Sequence, residues 1–187
     1  MGLNSIQFLV YTLINVYCFV LILRAWFQFC RVDFYNPLSQ TLVKLTNPLL
    51  APLQKLVPTV KNLNLAAIAV TVILGVIKYP LLNKLGATLV VADPLNYLFI
   101  GLLHTARTFG EAALYVIFIE AIMSWFNRAQ NPLQYTLYQL TQPLLNPIRR
   151  ILPNTGMIDF APMILAFALF YGNRVLYDIF PALWPLA

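Results

Sequence analysis

Four long apolar stretches leave this chain few architectures: roughly Ile6 to Phe29, Leu65 to Leu82, Tyr97 to Phe126, and Phe160 to Tyr177. About 20 apolar residues cross the hydrocarbon layer of a bilayer, with roughly 17 to 25 as the usual range. Of the 187 residues, 60% are hydrophobic and 10% charged, and the mean hydropathy is +0.75. A soluble surface carries far more charge than this. The reading is an all-α polytopic membrane protein with four transmembrane helices. The first stretch differs from a signal peptide: no positive side chain precedes it, and its apolar run is long for a leader. Asn15 and Arg24 also suit a retained helix.

Between these stretches one block occurs twice. Asn36 to Pro58 (NPLSQTLVKLTNPLLAPLQKLVP) returns 95 positions later as Asn131 to Pro153 (NPLQYTLYQLTQPLLNPIRRILP), with 12 of 23 positions identical and no gap. Self-similarity of that length marks a duplicated unit. Each unit reads as span, connector, span, dividing the chain into residues 1–92 and 93–187. A unit that crosses the bilayer twice starts its successor on the same side. The repeats are therefore expected to be parallel, about a pseudo-twofold axis along the membrane normal. Arg31, Lys44, Lys55, Lys61, Arg128, Arg149 and Arg150 lie beside the connectors. Lys78, Lys84 and Arg174 lie on the opposite face, with Arg107 if it is near that interface. This bias favours cytoplasmic connectors and non-cytoplasmic termini.

The connectors carry helix punctuation. Asn36-Pro37 and Asn131-Pro132 each place a capping residue before a proline at the first helical position. Leu38, Leu42, Leu45 and Leu49, and again Leu133, Leu137, Leu140 and Leu144, fall on one helical face. Pro48 and Pro52, like Pro143 and Pro147, remove backbone donors, and Pro58 and Pro153 close the blocks. The expectation is two short amphipathic pieces per connector, lying in the interface with basic ends near headgroups. A re-entrant hairpin is the alternative. The Asn, Thr and Pro pattern serves either architecture alone or a docking surface as well. Retention of Thr41/Thr136 and Thr46/Thr141 leans toward more than capping, although Thr46 and Thr141 could cap a following helix.

Charges inside the spans are the other candidates. Arg24 and Glu120 stand near the connector ends of spans one and three, beside Trp26 and Trp125. A bridge between them would lower the cost of each charge and join the two units. Alternatively Arg24 snorkels and Glu120 bonds to backbone or water. Arg107 and Glu111 share a face near His104, and with Glu120 they outline a polar track of the kind a conduction path needs. Spans two and four offer little matching polarity: Lys78 and Arg174 read as residues near span ends. His104 reads as a structural hydrogen-bonding residue rather than a haem or metal ligand. Ala161, Ala166, Ala168 and Gly172 would let span four approach a neighbour closely. Asp159 and Asn64 read as the N-caps of spans four and two.

Several classes fall away. The net charge of +6 comes from scattered basic residues beside spans, which suit topology and phospholipid contact rather than nucleic acid. Cys18 and Cys30 are about 18 Å apart along one helix, too far for a disulfide. No nucleotide loop, catalytic triad, zincin motif or CxxC pair is present, so neither an enzyme nor a cofactor is expected.

The doubled block, a tryptophan-bearing span before each copy, and the run Gly156-Met157-Ile158-Asp159-Phe160-Ala161-Pro162 resemble the YggT family of small integral membrane proteins. Asn131, Pro132, Thr141, Pro143, Pro147, Arg149 and Pro153 carry the motif in the second copy; Asn36, Pro37, Thr46, Pro48, Pro52 and Pro58 carry it in the first. The first copy departs at Gln54-Lys55, where Arg149-Arg150 stand in the second, and at Asn64-Leu65-Ala66-Ala67 in place of Asp159-Phe160-Ala161-Pro162. The resemblance implies a multi-pass protein of the bacterial inner membrane. Its relatives are linked to cofactor assembly on cytochromes, cell division and nucleoid distribution, or osmotic stress tolerance. The expected function is a noncatalytic adaptor or assembly factor. Its partners would be membrane lipids and a membrane or cytoplasmic-face protein, with homo-oligomers allowed. A small oligomeric channel or transporter using Arg107, Glu111 and Glu120 is the alternative.

Overall fold

The computed structural model describes residues 3–33, 35–55, 57, 62–87, 94–126, 132–152 and 159–187, without the side chains of 124–126. Six α-helices and a terminal 3-10 turn follow one another: α1 Ser5–Phe29, α2 Pro37–Gln54, α3 Leu65–Lys84, α4 Pro94–Phe126, α5 Pro132–Ile151, α6 Ala161–Ile179, and the turn Trp184–Leu186. The four apolar stretches become α1, α3, α4 and α6, and the two blocks become α2 and α5. Among the described residues, α1 and α3 are long and apolar enough to cross a membrane by length and composition. That is two of the four expected spans. Charge separates the other pair: α4 carries Arg107, Glu111 and Glu120, and α6 carries Arg174 and Asp178.

Local chemistry fixes the helix starts. Asn4 and Gln7 form a reciprocal capping box on α1, each side chain accepting the other's backbone N–H at 2.9 Å. Gln7 Nε2 also donates to the Leu85 carbonyl at the far end of α3. Asn36 caps α2 ahead of Pro37. Asn64 caps α3 through Ala67 N–H while its Nδ2 donates to Gln28 of α1. Position 160 is the cap residue of α6, and Asp159, one residue earlier, accepts the Ala161 N–H.

The connectors differ from expectation. Each is one continuous helix, α2 through Pro48 and Pro52 and α5 through Pro143 and Pro147. A mid-helix proline frees carbonyls one turn back, and such a helix persists where neighbours satisfy them. In α2 they donate on either side of the carbonyl that Pro48 frees. Arg24 Nη1 donates to the Val43 carbonyl at 3.2 Å and the Tyr17 hydroxyl to that of Leu45 at 3.4 Å.

Helices α1, α3 and α4 make the central packing, with α2 and α5 across one end and α6 at the side against α4 and α5. The closest approach is between α3 and α4. A Cβ on Gly75 would stand 2.9 Å from Gly101 Cα, and one on Gly101 would stand 2.7 Å from the Val72 carbonyl oxygen. The close contact expected of α6 is not there: only its Ala161 is buried, and a Cβ on Gly172 would meet nothing within 4 Å. Among the described residues, no packing comparable to α3 on α4 joins α6 to α1. Leu21, Ala25, Leu50, Ala66, Ala67 and Val70 fill the space between α1, α2 and α3.

Candidate functional site

In the first half, a charged side chain of the preceding helix holds the connector. Arg24 Nη1 donates to Thr46 Oγ1 and to Asn47 Oδ1 at 2.8 Å, in addition to the Val43 carbonyl. Thr141, the counterpart of Thr46, stands beside Glu120 and donates its hydroxyl to the Tyr138 carbonyl at 3.1 Å. Both threonines are fully buried. Among the described residues no Arg24–Glu120 ion pair forms: Arg24 turns to Thr46 and Asn47 of its own connector, and Glu120 stands beside Thr141 and Arg149. A direct link between the halves comes instead from the Asn36 amide, which donates to Thr136 Oγ1 of α5.

Arg149 and Arg150 have separate surroundings. Arg149 Nε donates to Asp159 Oδ2 at 2.9 Å and its Nη1 to Gln142 at 3.1 Å, tying α5 to the start of α6. Burial works against the Asp159 anion. The Arg149 hydrogen bond and charge, with the Ala161 N–H, outweigh it and hold the carboxyl below the usual aspartate value. Arg150 is exposed, and the neighbouring Ile151 is 85% exposed.

Glu120, Arg149 and Asp159 stand at one end of a groove of about 1060 Å³ between α4, α5 and α6. Its remaining wall is mainly apolar, with Tyr115, Phe118, Met163 and Phe170. Alignment of the blocks pairs Ala67 with Pro162. Ala67 is fully buried in the packed space between α1 and α3, whereas Pro162 lines the groove. A second hollow of about 700 Å³, bordered by Arg24, Arg31, Asp33 and Gln54, lies at the mouth between α1 and α2.

Leu38, Leu45 and Leu49 are exposed, and Ser39, Thr46 and Leu50 face inward. In α5 the inner face is Thr136, Leu137, Leu140, Thr141 and Leu145.

A third polar cluster lies between α1, α3 and α4, and the sequence reading missed its centre. Lys78, expected near the end of its span, is 0% exposed. Its Nζ is 3.4 Å from His104 Nδ1 and sits over the rings of Tyr11 and Tyr79 at 5.1 and 5.2 Å. Arg107 Nε pairs with Glu111 at 3.0 Å, and its Nη1 donates to the carbonyls of Trp184 and Ala187. The Tyr79 hydroxyl donates to the Leu186 carbonyl, so the tail is fastened over this end of the bundle. A lysine six residues from the end of α3, with aromatic neighbours one and 67 residues away in the sequence, is hard to tell from an interfacial lysine without the fold.

Pro58, Asn131 and Pro153 lie outside the described residues, as do Lys61, Arg128 and residues 156–158. Both cysteines are free. Among the described residues no group of three or more His, Cys, Asp or Glu side chains is placed to hold a metal ion.

The fold and these sites define an all-α protein with apolar helices of the membrane type and amphipathic connectors at one end. A family model described as CCB3/YggT matches residues 3–85 and 99–180, and the chain belongs to that family. An uncharacterized protein of Haemophilus influenzae is 43% identical over 187 residues, covering 100% of this chain and 99% of the relative. The "Uncharacterized protein YggT" of Escherichia coli K12 is 40% identical over 96% of this chain and 93% of its own. A Pseudomonas aeruginosa relative is 31% identical over 90% and 86%. No solved structure matches significantly.

Proposed function

We propose that this chain is a noncatalytic adaptor or assembly factor of the bacterial inner membrane, built from two tandem modules, 1–92 and 93–187. In this reading α1, α3, α4 and α6 all cross the bilayer, and α2 and α5 lie at its cytoplasmic face. The charge distribution supports that orientation more strongly than the sequence count did. Lys78 is buried and Arg107 is engaged by the tail, which leaves Lys84 and Arg174 as the basic residues of the opposite face.

The observation that carries the reading is the α4–α6 groove. The first module closes the corresponding space with Leu21, Ala25, Ala67 and Val70, while the second leaves it open. One copy of the unit then serves as scaffold and the other as receptor. The occupant is an apolar helix of a membrane protein, lying against Phe118, Met163 and Phe170, with its polar flank reaching exposed Arg150. Arg149 is built into the α5–α6 junction and acts as support.

Site-specific photocrosslinking in native membranes tests this. Crosslinkers at Met163 and Phe170 should give one discrete protein adduct that Arg150→Glu weakens several-fold while insertion is unchanged. A crosslinker at lipid-exposed Leu13 of α1 should not give it. Lipid adducts alone at all three positions would sink the proposal. Ion flux through liposomes holding this protein alone, abolished by Glu120→Gln, would establish the channel reading instead.

A further inference from the structure

Lys78 has no carboxylate within ion-pairing distance among the described residues, although it is fully buried in a helix long and apolar enough to span a membrane. Its facing groups are Tyr11 and Cys18 from α1, Tyr79 from α3, and His104, Arg107 and Glu111 from α4. A lysine ammonium only donates, so in this contact His104 Nδ1 accepts and Nε2 carries the imidazole proton.

That Nε2 is buried and has no protein partner. Neither has Asn15 Oδ1, on the facing side of α1. Both residues line one cavity of about 80 Å³, together with Tyr11, Arg107, Thr108 and Glu111. An unsatisfied donor and an unsatisfied acceptor opening on the same polar space are what a bound water reconciles. The volume exceeds the roughly 10 to 15 Å³ that one water needs. Glu111 borders the cavity and is also half-exposed on the groove side, so it stands at the mouth.

We propose that this cavity holds an internal water cluster and that Lys78, His104 and Glu111 with it form a proton-loading site inside the bundle. In the unloading direction an Nζ proton of Lys78 passes to His104 Nδ1 as the Nε2 proton leaves to the cavity water. The products are a neutral amine, a neutral imidazole of the other tautomer, and one proton carried out past Glu111. Loading is the reverse. The cavity's described lining leads from His104 to Glu111, and a path with that mouth alone stores a proton without conducting it. The path opens toward the groove at Glu111 but needs no partner there.

His104 is the one histidine in the chain, so histidine-specific nitrogen-15 labelling gives a single imidazole signal in lipid bilayers. The expected spectrum shows the Nε2–H tautomer with transfer from water protons, converting to the Nδ1–H tautomer as alkali removes the Lys78 proton. Lys78→Met should abolish that conversion. Glu111→Gln, which keeps the shape of the mouth and needs no refolding of the core, should slow Nε2 exchange with bulk water at least tenfold. A dry Nε2, a tautomer insensitive to alkali in the native protein, or exchange unchanged in Glu111→Gln would each overturn the proposal. A sustained proton current through the reconstituted protein would overturn the single mouth.

Discussion

Arg149 and Arg150 are chemically alike and adjacent, and the fold gives them different work. Arg149 clamps Asp159 across the α5–α6 junction, with the two side chains 32% and 44% exposed. A pair this open contributes modestly after screening, on the order of 1 kcal/mol or less. Because the folded Asp159 carboxyl sits below its ordinary value of 3.8, the stabilisation is complete above that value. It is lost as pH falls through the lower folded one. Arg149→Gln should therefore lower the unfolding midpoint in detergent by a few degrees at neutral pH, and the deficit should vanish in strong acid. Arg150→Gln should leave the midpoint unchanged at either pH. Equal effects of the two substitutions at neutral pH would refute the division of labour. Sequence spacing found both arginines but not this division, since Asp159 lies ten residues on and reaches Arg149 only once α5 and α6 have met. The same holds for Arg24. Its charge in an apolar run was conspicuous, but its return to Thr46 depends on how α2 folds back on α1.

At the level of elements, the helices themselves were legible because an apolar run bounded by Asn and Pro leaves the backbone little choice. Their packing was not. Gly75, Gly101 and Gly172 look equivalent as small residues in apolar helices, yet only the first two meet. On Gly101 an added Cβ would stand 2.6 Å from Val76 Cγ2 and 2.7 Å from the Val72 carbonyl oxygen. The valine tip has some freedom; the carbonyl belongs to helix backbone and has little. Gly101→Ala should thus separate α3 from α4 and cost about 1 to 3 kcal/mol, as overpacking commonly does. Gly172→Ala, with open space around it, should cost nothing measurable. Denaturant unfolding in mixed micelles compares the two directly. The connector prolines teach the complementary lesson. Read alone they break a helix; α2 runs through them, with α1 donating to the Val43 and Leu45 carbonyls on either side of the one that Pro48 frees.

For the molecule as a whole, the decisive quantity is how many helices cross the membrane. Among the described residues, length and composition single out α1 and α3; the proposal adds α4 and α6, whose charges have protein neighbours. Arg107 pairs with Glu111 and the tail carbonyls, Glu120 stands beside Thr141, and Arg174 stands 3.5 Å from Asp178. Partnered charges weigh less against insertion than isolated ones, which a hydropathy count cannot register. The two possibilities place α5 on opposite faces. With four spans, α2 and α5 share one side. With two, the chain stays on the far side after α3, and α5 joins Lys84 there. Single cysteines at Lys44, Lys84 and Arg150, in a background lacking Cys18 and Cys30, separate these cases with a membrane-impermeant maleimide. Four spans require Lys44→Cys and Arg150→Cys to be protected in spheroplasts and labelled in inverted vesicles, with Lys84→Cys the reverse. Labelling of Arg150→Cys together with Lys84→Cys would remove α4 and α6 from the membrane. It would also turn the α4–α6 groove into a water-facing surface, where an apolar wall of Phe118, Met163 and Phe170 would have to be covered by a soluble partner instead of a membrane helix.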